Sequence, residues 1–214
     1  YCDGLPNVTK TLPNTWLPQD QEKRTFTVHT NAMAVAVGIA DAGLRQQIMH
    51  AVMQDRSLPM VQPYYMHFVF DALAKTGLFG QYAFDEMKRW KALLEEHSSS
   101  LKEGWNFGDY SHAWGGTPTY QMSTRVLGVS VRKPGFGGVS LSPCLRPPPP
   151  ARGAVPTPHG PMEVSWKNGK GLLSGTLSGP VGCVVSLGMQ GVDSDCVAIS
   201  RAGKPVHASA DQDG

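Results

Sequence analysis

The chain has 214 residues, a formal net charge of +2 and 17% charged residues, enough length for one large domain or two small ones with ample core. This near-neutral balance, with no basic run or stripe, argues against nucleic acid or another polyanion as partner, and no apolar stretch approaches the roughly 18 residues of a membrane span. Four cysteines (Cys2, Cys144, Cys183 and Cys196) without CxxC spacing argue against a zinc site.

Residues 1–28 carry three prolines and little periodicity, which predicts an extended lead-in. No signal peptide is visible, and the chain begins Tyr1-Cys2 without an initiator methionine, as a processed chain or a piece of a longer one would. From Asn31 the pattern turns helical: Met33, Val37 and Ala40 recur at helical spacing, Thr30 or Asn31 can cap the start, and Gly43 stops it. A second helix is expected from about Leu44 to Gln54, carried by Ile48 and Val52 and closed by Pro59. The third starts at Pro63, well placed in a first turn, and runs to Lys75 with Met66, Val69, Phe70 and Leu73 on one face. A fourth covers roughly Tyr82 to His97 with Phe84, Met87, Trp90 and Leu94 facing inward. Thr117-Pro118 starts a fifth, running through Arg125 to Gly128.

Glycine and proline then become frequent and short strands take over. Val139 to Leu141, Met162 to Trp166, Leu172 to Leu177, Val181 to Leu187 and Cys196 to Ser200 read as strands, with Asn168-Gly169 as a hairpin turn and Pro147 to Pro150 as a stiff linker. Cys183 and Val185, alternating with Val184, read as strand core, and Cys183 and Cys196 are spaced so that pairing across neighbouring strands is open. Helices followed by strands, without alternation, predict two layers or domains, here 1–130 and 131–214. Paired helices suggest a helical array or part of an α/α toroid.

Between the fourth and fifth helices lies SLKEGWNFGDYSHAWGGTP (100–118), with Glu103 nine residues before His112 and Trp105, Phe107, Tyr110 and Trp114 around them. A loop this rich in aromatics, holding one acid and one imidazole, reads as the wall of a sugar site rather than a connector. Tyr64, Tyr65 and His67 lie on or beside the polar face of the third helix and either reach this site or pack a helix interface. His29 reads as structural near a helix start, and His159 as shaping its turn.

The segments VHTNAMAVAVGIA (28–40), VQPYYMHFVFDALAKTGLF (61–79), KEGW (102–105), SHAWGGTPTYQMSTRVLGV (111–129), PGFGGVSLSP (134–143) and VPTPHGPMEVSW (155–166) together resemble the C-terminal part of the family 78 glycoside hydrolases, the α-L-rhamnosidases. The resemblance implies an α+β multidomain architecture: the end of an (α/α)6 six-hairpin barrel, followed by a small antiparallel β-sandwich. It implies hydrolysis of terminal α-L-rhamnose with inversion, one carboxylic acid protonating the leaving oxygen while a carboxylate about 6.5–9.5 Å away activates water. Glu103 falls where the family carries its general base and His112 where it carries a histidine near the catalytic water. Trp105, Trp114 and Tyr65 are the further candidates for sugar contact. Both indoles suit the apolar face of a deoxy sugar, and the sequence does not choose between them.

The implied partner is a rhamnose-containing carbohydrate, and no cofactor or metal is implied. The family's general acid lies in an upstream acidic motif that Asp3, Asp20 and Glu22 do not match, so this chain is expected to carry the general-base half, with the upstream half of the barrel supplied by the same full-length protein. The competing reading is a catalytically incomplete fragment that acts only as a carbohydrate-binding or scaffolding remnant. A further one keeps the toroid with different sugar chemistry.

Overall fold

The computed structural model describes residues 27–96, 99–143, 150–169, 172–188, 198–201 and 204–205. The lead-in, the sequence Pro147 to Pro149, Cys2, Cys144 and Cys196 lie outside them. The chain divides into two compact units, Tyr1–Gln121 and Met122–Gly214.

In the first unit α1 (Val28–Ala36) is capped by Thr27, whose hydroxyl accepts the Thr30 amide at 3.3 Å. The Asn31 side chain donates to the Thr27 carbonyl at 2.8 Å. The cap therefore lies upstream of Thr30 and Asn31, and Gly38, at φ +82°, ends the helix before Gly43. This earlier start turns Ala32 and Val35 inward and leaves Val37, expected inside, exposed. The second helix, α2 (Arg45–Gln54), buries Ile48, Met49, Val52 and Met53. A turn over 63–65 leads into α3 (Met66–Lys75), which buries Met66, Val69, Phe70 and Leu73 and stops at Gly77, at φ +72°.

The expected fourth helix is two: α4 (Phe79–Met87) and α5 (Trp90–Glu96), separated by a turn at Lys88 and Arg89. The break resets the phase, so Trp90 and Leu93 are buried while Leu94, expected inward, is exposed. Phe70 lies 6.1 Å from both Phe79 and Trp90, ring centre to ring centre. Each such buried ring contributes about 1.5–3 kcal/mol through removal from water. This aromatic cluster holds α5, and hence the start of the loop that follows it. The short α6 (Thr117–Gln121) closes the unit.

The second unit opens with one π turn (Met122–Val126), where a continuous fifth helix was expected, and Gly128 at φ +86°. A Cβ at Gly128 would sit 2.4 Å from the Pro143 nitrogen, so only glycine fits. Strands β1 (Val129–Lys133), β2 (Gly138–Leu141) and β6 (Val184–Leu187) form one sheet in the order β1-β2-β6. The second sheet, β3 (Ala151–Val155), β4 (Met162–Gly169) and β5 (Leu172–Ser178), is a meander. A two-residue ladder joins β7 (Ser200–Arg201) to β8 (Lys204–Pro205).

Alternation along β4 sends Met162, Val164 and Trp166 to a core shared with Leu127, Val129, Val139, Leu141 and Val155, so both larger sheets contribute to one apolar interior. Three expectations change here. The β2–β6 pair is parallel, so the sheets are not purely antiparallel. Asn168 and Gly169 pair with Leu173 and Leu172 inside the ladder, so they lie in strand β4 rather than at a turn. Val185, expected in the core, is exposed. Cys183 forms no disulfide among the described residues, and its Sγ lies 3.3 Å from the Phe136 carbonyl oxygen.

Candidate active-site loop

The segment after α5 folds as a twisted pair of arms. The amide of His112 donates to the Leu101 carbonyl at 3.0 Å, that of Glu103 to Asp109 at 3.1 Å, and that of Gly104 to Phe107 at 3.1 Å. Glu103 thus sits at the shoulder of the reversal over Gly104–Phe107. Its side chain lies across Gly108, where an added Cβ would be 2.6 Å from the Glu103 Cβ and 2.7 Å from Oε2. Gly108 also holds φ +84°, so backbone and space both require glycine. Glu103 is exposed, and its carboxylate has no hydrogen bond or ion pair among the described residues.

His112 is brought to Glu103 through one carbonyl. The oxygen of Asp109 that accepts the Glu103 amide also faces the His112 Nδ1 at 2.8 Å. A carbonyl can only accept, so Nδ1 carries a proton, and in the neutral ring Nε2 is left as an acceptor. Asp109 is the element that sequence reasoning missed, because its backbone acts and its side-chain type gives no signal.

The two candidate tryptophans separate cleanly. Trp105 donates its amide to Gln62 Oε1 at 3.0 Å and its indole N–H to the Val61 carbonyl at 2.7 Å. Its ring meets Trp90 edge-on at 4.7 Å, with the Arg89 guanidinium 4.1 Å from the ring centre. Arg89 in turn pairs with the buried Glu86 at 3.3 Å. Trp105 is an anchor that pins the loop to the segment before α3. Trp114 is 53% exposed, in the 3-10 turn Ala113–Gly116, with its ring 4.9 Å from His112 and 5.7 Å from Tyr64. The turn beneath it is fixed by the Trp90 indole, which donates to the Gly115 carbonyl at 2.6 Å.

Tyr65 is engaged elsewhere: its hydroxyl donates to the His29 carbonyl at 3.0 Å, and its ring lies 4.4 Å from the His29 ring. Burial raises the Tyr65 phenol above its usual range, the neighbouring Tyr64 adding to it, and burial lowers the His29 imidazole. His67 faces the Thr117 hydroxyl at 3.1 Å and Asp71 at 3.8 Å. Lys102 turns to Glu96, which also accepts the Tyr110 hydroxyl at 2.8 Å on the same oxygen. That hydrogen bond to Glu96 is the leading cause that holds both Lys102 and Tyr110 above their ordinary titration ranges. The cation next to Glu103 in sequence is thereby bound at the end of α5.

In the second unit, a cavity of about 140 Å³ is lined by Phe136, Thr157, His159, Met162 and Cys183 among others. His159 Nε2 lies 3.1 Å from the Gly135 carbonyl and its amide donates to the Thr157 hydroxyl, so this histidine shapes its turn. Among the described residues no group of three or more His, Cys, Asp or Glu could hold a metal ion, and no helix is long and apolar enough to cross a membrane.

No family model matches the sequence, and no curated protein matches it. Solved structures do. A family 78 rhamnosidase of Bacillus sp. GL1 is 21% identical with a TM-score of 0.65, over 78% of this chain and 19% of that one. The chain carries part of an α-L-rhamnosidase fold. Two further α-L-rhamnosidases agree. That of Streptomyces avermitilis, complexed with L-rhamnose, is 16% identical with a TM-score of 0.57, over 74% of this chain and 18% of that one. That of Dictyoglumus thermophilum is 18% identical with a TM-score of 0.59, over 74% and 20%. This chain therefore spans about a fifth of the length of the rhamnosidases whose fold it shares.

Proposed function

We propose that the loop over residues 99–116 is the water-activating side of an inverting α-L-rhamnosidase site, in the closing helices of an (α/α)6 barrel that a β-sandwich follows. Glu103 is the general base, His112 binds the sugar beside the attacking water, and Trp114, rather than Trp105, takes the apolar face of rhamnose. The observation that carries this reading is the Asp109 carbonyl, which sets the Glu103 backbone and the His112 ring on one acceptor. The same loop thus carries an exposed carboxylate and a partly exposed imidazole. A base that abstracts a proton from water must reach it directly or through one water, and an unpaired, solvent-facing carboxylate does so. The fold shared with three rhamnosidases supports the substrate class.

The general acid would come from another segment of the barrel, with its carboxyl about 6.5–9.5 Å from Glu103 so that water fits between them. Asp3, Asp20 and Glu22 lie outside the described residues. Hydrolysis of an aryl α-L-rhamnoside by the full-length protein, with the anomer of the first-formed sugar read by NMR, tests the assignment. Glu103→Gln should reduce turnover by about 10²–10⁴-fold while leaving rhamnose binding in place. Normal turnover by that variant would sink the role given to Glu103.

A second reading follows from the span of about a fifth of the matched rhamnosidases. In it, the chain binds rhamnose without cleaving it. Calorimetric titration that shows binding, beside an assay that shows no turnover, would select it.

A further inference from the structure

Trp114 does not stand alone. Tyr64, at the entry to α3 and 49% exposed, lies 5.7 Å from Trp114 with its ring tilted by 57°. Both rings rest on fixed supports. Tyr64 leans edge-on against Phe68 at 6.0 Å and follows the buried Pro63, against which Gly115 of the Trp114 turn is set. Two large rings held half-bare and adjacent, each next to a buried residue (Pro63 and Gly115), form a contiguous patch rather than scattered surface apolar residues.

The geometry narrows what the patch takes. A planar group sandwiched between two rings needs their centres about 7 Å apart, two van der Waals contacts of about 3.5 Å each. The observed 5.7 Å and 57° tilt are too close and too open for that. The two ring planes are instead turned by 57° from one another, so two ligand rings, one resting on each, would be turned likewise. Successive pyranoses joined by a glycosidic bond present their C–H faces in this way. The Tyr64 hydroxyl has no partner among the described residues, so it can donate to or accept from a ring hydroxyl.

We propose that Tyr64 is a specificity-determining residue that holds the pyranose next to rhamnose, on the leaving-group side. The inference rests on the reading of Trp114 as the rhamnose contact. Under it the protein prefers a rhamnosyl disaccharide or longer glycan to a rhamnoside with a small or planar aglycone.

The test is a titration of the 214-residue chain, followed by tryptophan fluorescence and saturation-transfer NMR, with L-rhamnose and with an α-L-rhamnosyl-D-glucose disaccharide. The disaccharide should bind roughly 3- to 10-fold tighter than rhamnose, as one added stacking contact implies. Tyr64→Ala should remove that gain and leave rhamnose affinity unchanged, and Tyr64→Phe should keep most of it. Equal affinity of the wild-type chain for both sugars, or an undiminished gain in Tyr64→Ala, overturns the role of Tyr64 while leaving the rhamnose site standing. Failure of the wild-type chain to bind either sugar overturns both.

Discussion

The two units use tryptophan in opposite ways, and the contrast separates framework from site. In the β unit Trp166 is buried, its indole N–H donates to the Leu127 carbonyl at 2.9 Å, and its ring covers Gly175 on the next strand. Trp90 and Trp105 in the helical unit follow the same rule, each donating to a backbone carbonyl. Trp114 breaks it: it is half bare and makes no hydrogen bond among the described residues. An indole whose N–H is satisfied and whose ring is packed belongs to the fold. One that is held rigidly and left unfilled is available to a ligand.

Removing the framework rings should have the largest effect. Trp166→Ala is expected to destabilise the β unit by about 3–5 kcal/mol, read by denaturant unfolding. Gly175→Ala should cost about 1–3 kcal/mol, because its Cβ would fall 2.3 Å from the Trp166 ring and force it to move. A Gly175→Ala protein of wild-type stability would show that the ring does not need that space.

Trp105→Ala should cost about 3 kcal/mol, from lost packing and a Val61 carbonyl left without its donor. Trp114→Ala should change stability by no more than about 0.5 kcal/mol and instead weaken rhamnose binding. Equal destabilisation by both substitutions would erase the distinction drawn between them.

Two pH effects sharpen the comparison within the helical unit. Burial lowers the His29 imidazole below its ordinary value of 6.5. Its contribution is therefore present above pH 6.5 and is lost as pH falls from there through the lowered value. Denaturant midpoints measured from pH 7 to pH 5 should fall more steeply in the wild type than in His29→Gln. Tyr110 and Lys102 shift upward through Glu96, so the clamp they form is intact below their ordinary range near pH 10 and is released as pH rises through the raised values. In a tyrosinate absorbance titration Glu96→Gln should move one phenol back toward pH 10, and Tyr110→Phe should remove it. No change in either variant would mean that Glu96 does not hold the loop.

The helices that bury a clean apolar face were legible in the sequence. For α2 and α3, Ile48, Val52, Val69 and Leu73 repeat at helical spacing and are buried. What escaped was phase. Thr27 caps α1 ahead of Thr30, and the turn at Lys88 and Arg89 interrupts a pattern that reads as one helix. A cap and a break depend on local hydrogen bonds that periodicity does not register. The same holds for β1 and β3, whose five residues each give too short an alternation to stand out, and for Asn168-Gly169, which lie in the ladder rather than at a turn.

Residue types and order alone determined the succession of helices by short strands, the core strand Met162 to Trp166 and the loop holding Glu103 and His112. These are properties of composition and spacing, and they survive any rearrangement of neighbours. Only the tertiary structure decided that Trp105 is an anchor and Trp114 is open, that Lys102 belongs to Glu96, and that Asp109 ties Glu103 to His112. Each of those outcomes depends on a backbone carbonyl or a side chain brought alongside by folding, and a linear sequence carries no record of which groups such contacts consume.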